Sequence, residues 1–476
     1  MIDLGFLKDR KIGVLGLGRT GMAAAEALKA SGVPVVAWDD GLVGRAWAER
    51  GGIPLHRFEG EGLAGIDTLI LSPGIPRRWP APHPVVAMAE KAGVRLVSDI
   101  DLLAQAQPAA NYLGITGTNG KSTTTALIGH LLTRAGVAAE TGGNLGFPAL
   151  SLAPLDESGW YVLEVSSFQL ETIAEVPWTA GVFINITPDH LDRYAGMEDY
   201  VAAKHTLFER GGGKATAIVG ADDDWSRTLV DDLRAAGRRV VPISAERAVA
   251  GGVHAIGGRL VDDMTGEGRQ VADLAGAPAL PGQHNWQNAA AAYAACRVAG
   301  VPAETIAAGL ASFPGLKHRQ QPVDTILGIR FVNDSKGTNP DAAAKALGSY
   351  RHVYWIAGGR AKGDDFSALD AFLPRIRHAC LIGEATEALA TYLQGRVRFS
   401  RCTDLDAATT EAFTVARAER LADPVVLLSP ACTSWDQFVS YEARGEAFIA
   451  SVRAIAHRCG VAPQRPTSGE LGGAAS

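Results

Sequence analysis

Residues 115–124 read Ile-Thr-Gly-Thr-Asn-Gly-Lys-Ser-Thr-Thr, and this stretch limits the possible folds more than any other. Ahead of it, Tyr112, Leu113 and Ile115 predict a short strand. Behind it, Ala126, Leu127, Ile128, Leu131 and Leu132 predict a helix. A strand that enters a glycine turn and leaves as a helix is the layout of a loop that cradles phosphate. Gly117 and Gly120 let the backbone aim its N–H groups inward across Thr118 and Asn119. Lys121 can reach a β- or γ-phosphate, and Ser122 or Thr123 can hold Mg²⁺. The helix N-terminus, with Thr124 in its first turn, adds positive potential. The glycines stand closer together than in the usual loop of this kind, so the match is to a shorter variant.

The 476 residues around this loop suffice for about three domains. A net charge of −6 gives no ground for nucleic acid or an anionic membrane surface as a partner. The five cysteines, Cys296, Cys380, Cys402, Cys432 and Cys459, are scattered without a C-x-x-C or zinc spacing. Reduced thiols in a cytoplasmic protein are expected. Met1 to Arg10 lacks the apolar core of a signal peptide, and no apolar run of about 18 residues predicts a membrane span.

Lys11 to Gly21 predicts a strand that meets Gly16-Leu-Gly18-Arg19-Thr20-Gly21, a G-x-G-x-x-G loop, followed by a helix over Met22 to Ser31. A second strand, Val33 to Trp38, ends in Asp39-Asp40, about 20 residues on, where a dinucleotide fold places its ribose carboxylate. Taken alone this suits NAD, another nucleotide at the same helix terminus, or glycines needed only for close packing. The strand Thr68 to Leu71 ends at Ser72-Pro-Gly, and a polar connection near Ala106–Ala110 closes the region.

Beyond the phosphate loop, Asn144 lies in a glycine-rich loop. Trp160 to Val165 reads as a buried strand carrying Glu164, either a metal-binding carboxylate or a salt-bridged core residue. The strand Gly181 to Ile186 leads to Asp189-His190-Leu-Asp192-Arg193, a metal or base site or a structural histidine. In the helix Met197 to Glu209, Lys204 has apolar neighbours and reads as a snorkelling lysine. Short strands with Gly- and Asp-rich turns fill about 215–278. Asn285 and Asn288 then share one face of a helix's first turn, placed for capping or for an adenine edge.

From about Phe313, polar clusters recur at strand ends. Arg319 precedes a strand that ends in Asn333-Asp334-Ser-Lys336-Gly-Thr338. Lys362 follows the strand from Tyr354, and Ser434 and Tyr441 follow the last strand, Val425 to Leu428. This is the ligand edge of a parallel sheet. The tail beyond Cys459 is rich in Pro, Gly, Ser and Ala, and is expected to be disordered.

Together these motifs resemble one family. Ile-Thr-Gly-Thr-Asn-Gly-Lys-Ser-Thr looks like the ATP loop of the Mur ligases and the related folylpolyglutamate synthases. Four further stretches match: Glu164-Val-Ser-Ser-Phe-Gln-Leu-Glu, Asp189-His190-Leu-Asp-Arg-Tyr, Gly282-Gln-His-Asn285 and Asn333-Asp334-Ser-Lys336. With Leu-Ser-Pro-Ala-Cys-Thr-Ser434-Trp-Asp-Gln-Phe they are similar to the branch that joins D-glutamate to UDP-N-acetylmuramoyl-L-alanine, over almost the whole chain. The resemblance implies an α/β fold of three domains. These are a Rossmann-like UDP-sugar domain (1–107), a central P-loop-like ATPase domain with a mostly parallel sheet (108–313) and a C-terminal Rossmann-like domain (314–460), followed by the tail (461–476).

It also implies a cytoplasmic monomer that uses ATP and two Mg²⁺. Gly18, Arg19, Thr20, Asp39 and Ser72 would hold the UDP part, and Asn144 and Ser166 the muramoyl-alanine part. Ser122, Glu164 and His190 would surround Mg²⁺. Lys204 matches a lysine that is carbamylated in the family and helps hold the second ion. Asn285, Asn288, Arg319 and Asp334 match the ATP side, and Lys336, Thr338, Lys362, Ser434 and Tyr441 the glutamate pocket. Two departures stand out: Asp39-Asp40-Gly41 where the family commonly has Asp-Thr-Arg, and Gln320-Gln321 where an acidic residue is usual. The rivals are a sister ligase, a folylpolyglutamate synthase and, in another class, a nicotinamide-binding oxidoreductase or sensor.

Overall fold

The computed structural model describes residues 1–191, 193–210, 213, 215–361, 363 and 365–461. Among them the strands form three sheets, of four, nine and six strands. The first contains β1 (Ile12–Leu15), β2 (Val35–Trp38), β3 (Thr68–Leu71) and β4 (Arg95–Val97) in the order β2-β1-β3-β4, all parallel. Every residue of β1 and β3 is buried, as in a sheet covered by helices on both faces. The helix after β1 spans Arg19–Ala30 and starts at the glycine loop itself, three residues ahead of the expected Met22.

The second sheet is built on β5 (Asn111–Thr116), β6 (Ala139–Gly143), β7 (Trp160–Glu164), β8 (Trp178–Phe183), β9 (Thr216–Gly220) and β10 (Val240–Ser244). A meander of β11 (Val253–Ile256), β12 (Arg259–Asp262) and β13 (Arg269–Asp273) follows. The order is β13-β12-β11-β10-β9-β8-β5-β7-β6, antiparallel only within the meander. β8 stops at Phe183 rather than Ile186, so Asn185 lies in the loop at the carboxyl edge.

The third sheet has the order β14-β15-β19-β16-β17-β18. Its strands are β14 (Gln321–Ile326), β15 (Ile329–Asn333), β16 (His352–Gly358), β17 (Ile376–Ile382), β18 (Phe399–Arg401) and β19 (Pro424–Leu428). Only the β14–β15 pair is antiparallel.

The chain packs into two compact units: 1–274 with 285–311, and 275–284 with the described residues from 312 onward. In the first unit one buried cluster runs from Ile2, Val14 and Leu28 to Leu163, Phe183 and Leu207, so the first two sheets share a core. In the second unit alternate residues of β16 serve opposite faces. Val353, Trp355 and Ala357 join one cluster and Tyr354 and Ile356 the other. Lys362, Asp192 and all of the expected tail except Val461 lie outside the described residues. No helix among the described residues is long and apolar enough to cross a membrane.

Candidate active site

β5 delivers the phosphate loop at its carboxyl end, and the helix Lys121–Arg134 leaves from it. Gly117 and Gly120 have φ of 144° and 87°. A Cβ on Gly120 would sit 2.2 Å from Asn288 Oδ1, so only glycine fits there. The loop is clasped by the segment after β8. Thr118 N–H donates to Asn185 O (2.9 Å), Asn119 N–H to Asn185 Oδ1 (2.9 Å), and the Thr118 hydroxyl to Thr187 O (3.1 Å). Lys121 Nζ donates to the carbonyls of Gly117 (3.0 Å) and Thr118 (2.8 Å), which holds its charge over the loop. Ser122 is buried and Thr123 half-buried in the first turn.

Asn288 is the bracket behind this turn. Its amide oxygen accepts from Thr124 Oγ1 (3.3 Å) and its nitrogen donates to Asn285 Oδ1 (3.2 Å). Both asparagines sit within the helix Gln283–Val298 rather than at its cap. Neither asparagine caps that helix, and the Asn288 amide bonds to Thr124 and Asn285.

Glu164 ends β7 and is 3% exposed. Its Oε1 accepts from Asn144 Nδ2 (2.8 Å), while Oε2 is buried with no hydrogen-bond partner. Among the described residues no salt bridge pairs with it. A buried carboxylate oxygen left bare at the mouth of a phosphate loop fits a hard cation. Among the described residues no group of three or more His, Cys, Asp and Glu side chains could hold a metal alone. That donor set suits Mg²⁺, which binds through one or two carboxylates together with substrate phosphates.

Lys204 corrects the snorkelling expectation: it is 2% exposed. Its Nζ donates to Gly117 O (2.9 Å) and lies 4.7 Å over the Tyr200 ring. Burial, then the charge of Lys121, pushes its pKa well below the ordinary lysine value, against the pull of Asp189 and Glu164. Both causes favour the uncharged, nucleophilic form of the amine. His190 is exposed with φ 54°, its Nε2 3.5 Å from Asp189 Oδ2 and its ring 5.1 Å from Phe168. Ser166 forms a capping box with Gln169 at the helix Ser167–Thr172, so its hydroxyl already serves that turn.

In the first sheet, Gly16 has φ 88°, and a Cβ on Gly21 would fall 1.8 Å from Gly16 O. Ser72 Oγ donates to Gly16 O (2.8 Å). The Asp39 carboxylate accepts from Leu17 N–H (2.5 Å) and Gly41 N–H (2.7 Å), which makes it a brace for the loop. Gly18 and Arg19 are exposed and Thr20 is half-buried at the helix N-terminus. Asp40 pairs with His83 Nε2 (3.1 Å), and Arg45 covers the Trp38 ring at 4.8 Å.

In the second unit, Asp334 accepts from Ser429 Oγ (2.6 Å) and Gln320 N–H (3.1 Å). Burial raises its pKa to about 7 against those bonds and the charges of Arg319 and Arg444. Arg319 is half-buried in the turn before β14. Lys336 Nζ lies 3.8 Å over the Tyr441 ring, Thr338 follows in the same loop, and Ser434 is 2% exposed beyond β19. Arg444, unnoticed in the sequence, is 1% exposed and donates to Ser335, Cys432, Thr433 and Gly358. It ties together the carboxyl ends of β15, β16 and β19. The available signal was its place on the apolar stripe of the helix Tyr441–Arg458, four residues before Phe448 and eight before Val452.

Residues 115–296 match the Mur ligase middle domain, and residues 318–432 match the Mur ligase glutamate ligase domain. The chain is 48% identical over 455 residues to a UDP-N-acetylmuramoylalanine–D-glutamate ligase of Paramagnetospirillum magneticum, covering 96% of this chain and 99% of that one. A ligase of the same name from Rhodospirillum rubrum is 49% identical over 463 residues, 96% and 97% of the two chains. In structure, the UDP-N-acetylmuramate-alanine ligase of Thermotoga maritima is similar with a TM-score of 0.56 at 16% identity, over 94% of this chain and 99% of that one. A pseudomurein peptide ligase from Methanothermus fervidus gives 0.54 at 17%, over 94% and 100%. These two likenesses concern the fold alone.

Proposed function

The chain belongs to the Mur ligase family, and on that premise we propose how its residues join D-glutamate to UDP-N-acetylmuramoyl-L-alanine at the expense of ATP. The near full-length likeness to the D-glutamate ligases carries the choice of substrates.

A carboxylate is a poor electrophile because its leaving group would be oxide. Phosphorylation removes that obstacle. The L-alanyl carboxylate attacks the γ-phosphorus of ATP, the bond to ADP breaks, and an acyl phosphate forms. The amine of D-glutamate then attacks the acyl carbon, phosphate departs and a proton is released. The phosphate loop and Lys121 bind and orient the transferring group and oppose its developing charge. Glu164, Ser122 and His190 would hold Mg²⁺, which supplies charge neutralisation on the phosphates. The bare Oε2 of Glu164 supports that role. The burial that lowers the Lys204 pKa favours its neutral form, which suits carbamylation, its nitrogen bonding to the carbon of CO₂ with loss of a proton. The new carboxylate would hold a second Mg²⁺.

Gly18, Arg19 and Thr20 are assigned to the UDP pyrophosphate at the helix N-terminus, with Asp39 and Ser72 shaping that loop. Asn144 and Ser166 are assigned to the muramoyl-alanine side, Asn285, Asn288, Arg319 and Asp334 to ATP, and Lys336, Thr338, Lys362, Ser434 and Tyr441 to the incoming dicarboxylate. We assign 1–107, 108–313 and 314–460 to the UDP-sugar, ATP and glutamate functions, in a cytoplasmic monomer.

Phosphate release with Mg²⁺-ATP, UDP-N-acetylmuramoyl-L-alanine and D-glutamate tests the reading, with parallel reactions holding L-glutamate, L-lysine or meso-diaminopimelate. Release that needs both the UDP-sugar and D-glutamate is expected. Release driven by another amine would move the chain to a sister branch.

A further inference from the structure

Behind the phosphate loop lies a line of side-chain amides with a charged end. Asn119 N–H donates to Asn185 Oδ1 (2.9 Å), Asn185 Nδ2 donates to Gln287 Oε1 (3.1 Å), and Gln287 Nε2 donates to Asp222 Oδ2 (2.9 Å). Asp222 is anchored by Ala245 N–H (2.9 Å) and by the Ser244 hydroxyl, at the end of β10. Gln287 is 6% exposed and Ser244 is fully buried.

The two ends of this line have fixed chemistry. A backbone N–H only donates, and a carboxylate only accepts. Two amides between such ends have a single orientation in which every link is bonded. Asp222 draws the Gln287 nitrogen, which leaves the Gln287 oxygen facing Asn185. That oxygen draws the Asn185 nitrogen and leaves the Asn185 oxygen facing the loop. We infer that Asp222 and Gln287 are positioning residues for ATP: through Asn185 they fix the phosphate loop at Asn119 in its phosphate-binding conformation. A flipped Asn185 amide would aim N–H at N–H and push Asn119 out of place. This inference rests on the ligase reading above, because it takes the loop to hold ATP.

The full chain tests it through KM for ATP and kcat in the ligation assay, with thermal unfolding alongside. Asp222→Ala removes the acceptor that orients Gln287. It is expected to raise KM for ATP about five- to tenfold, the loss of one hydrogen bond, with a smaller change in kcat. Gln287→Glu sets two carboxylates face to face and is expected to be worse. Ala245 N–H and Gln287 Nε2 donate to the same Asp222 oxygen, so Asp222→Asn can keep its own oxygen there and should stay within about twofold of the parent. Should Asp222→Ala fail to fold, Gln287→Met cuts the line without touching β10, and a raised KM for ATP is again expected. An unchanged KM in the folded variant, or an Asp222→Asn chain no better than Asp222→Ala, overturns the inference. A parent chain that consumes no ATP would overturn the ligase reading instead.

Discussion

Replacing Arg444 with methionine should loosen the carboxyl edge of the third sheet while leaving the phosphate loop intact. The guanidinium makes five hydrogen bonds, to Ser335 Oγ (3.0 Å), Ser335 O (2.9 Å), Cys432 O (3.2 Å), Thr433 O (3.2 Å) and Gly358 O (3.4 Å). Thr433 O keeps a second donor, Arg360 N–H at 3.0 Å, and the Ser335 hydroxyl keeps its bond to Tyr441 O at 2.8 Å. The carbonyls of Ser335, Cys432 and Gly358 lose this donor, at about 1–3 kcal/mol for each of the two shorter bonds and less for the 3.4 Å one. Against this stands the cost of burying the charge, which lowers the Arg444 pKa from 12.5 to about 10. Two to three pK units correspond to roughly 3 kcal/mol. The net loss for Arg444→Met therefore lies between about zero and 4 kcal/mol, confined to the second unit. Hydrogen exchange read by mass spectrometry should show faster exchange in peptides spanning β15 and β19, with β5 and β7 unchanged. KM for D-glutamate should rise more than KM for ATP, since Lys336 and Ser434 adjoin the tied segments. Arg444→Lys, which keeps a buried cation, should recover part of both effects. Unaltered exchange and an unaltered KM for D-glutamate in Arg444→Met would refute the reasoning.

Gly120→Ala should destabilise the chain by about 2 kcal/mol or more, from the left-handed backbone plus the contact with Asn288, and should abolish ATP binding measured by calorimetry. Glu164→Gln keeps the acceptor for Asn144 but replaces the bare oxygen. Stability should hold or rise, while ligation falls at least about 100-fold and Mn²⁺ binding with ADP, read by electron paramagnetic resonance, is lost. The Asp334 pKa is raised from 3.8 to about 7 in the folded state, so its contribution is complete below about pH 4 and fades as pH climbs through 7. Asp334→Asn should therefore compare better with the parent at pH 8 than at pH 5 in urea unfolding; the opposite order would contradict the burial argument.

The phosphate loop was legible because its requirements are local: strand, glycines, lysine and helix follow one another within a few turns of chain. The parallel sheets were legible for a similar reason, since buried strands such as Thr68–Leu71 read as unbroken apolar runs. Lys204 was not. Its bond to Gly117 O closes over 87 residues, and nothing in the helix Met197–Glu209 tells a snorkelling lysine from one sealed under the loop. Arg444 escaped for the same cause, with partners up to 109 residues away. The antiparallel meander β11–β13 left turn signals in the sequence, but its pairing direction depends on neighbours that local pattern does not name.

The glycine loop of the first sheet raises a sharper point, because its motif suits several ligands equally. The structure explains why. Gly21 is required by Gly16 O at 1.8 Å from any Cβ, and Gly16 by Ser72, whose Cβ would lie 2.7 Å away. These demands are internal to the strand–helix turn and would be the same beneath NAD, UDP or no ligand at all. Asp39 answers to the turn as well, through Leu17 N–H and Gly41 N–H. Gly18 differs: a Cβ there meets nothing within 4 Å, so no protein atom accounts for its smallness. On the proposed assignment of this loop to UDP, discrimination among nucleotides would fall to groups near it, among them Arg19, Thr20 and the Asp40–His83 pair. A G-x-G-x-x-G match thus reports how a strand and helix pack, and which nucleotide binds is decided by side chains the motif leaves unspecified.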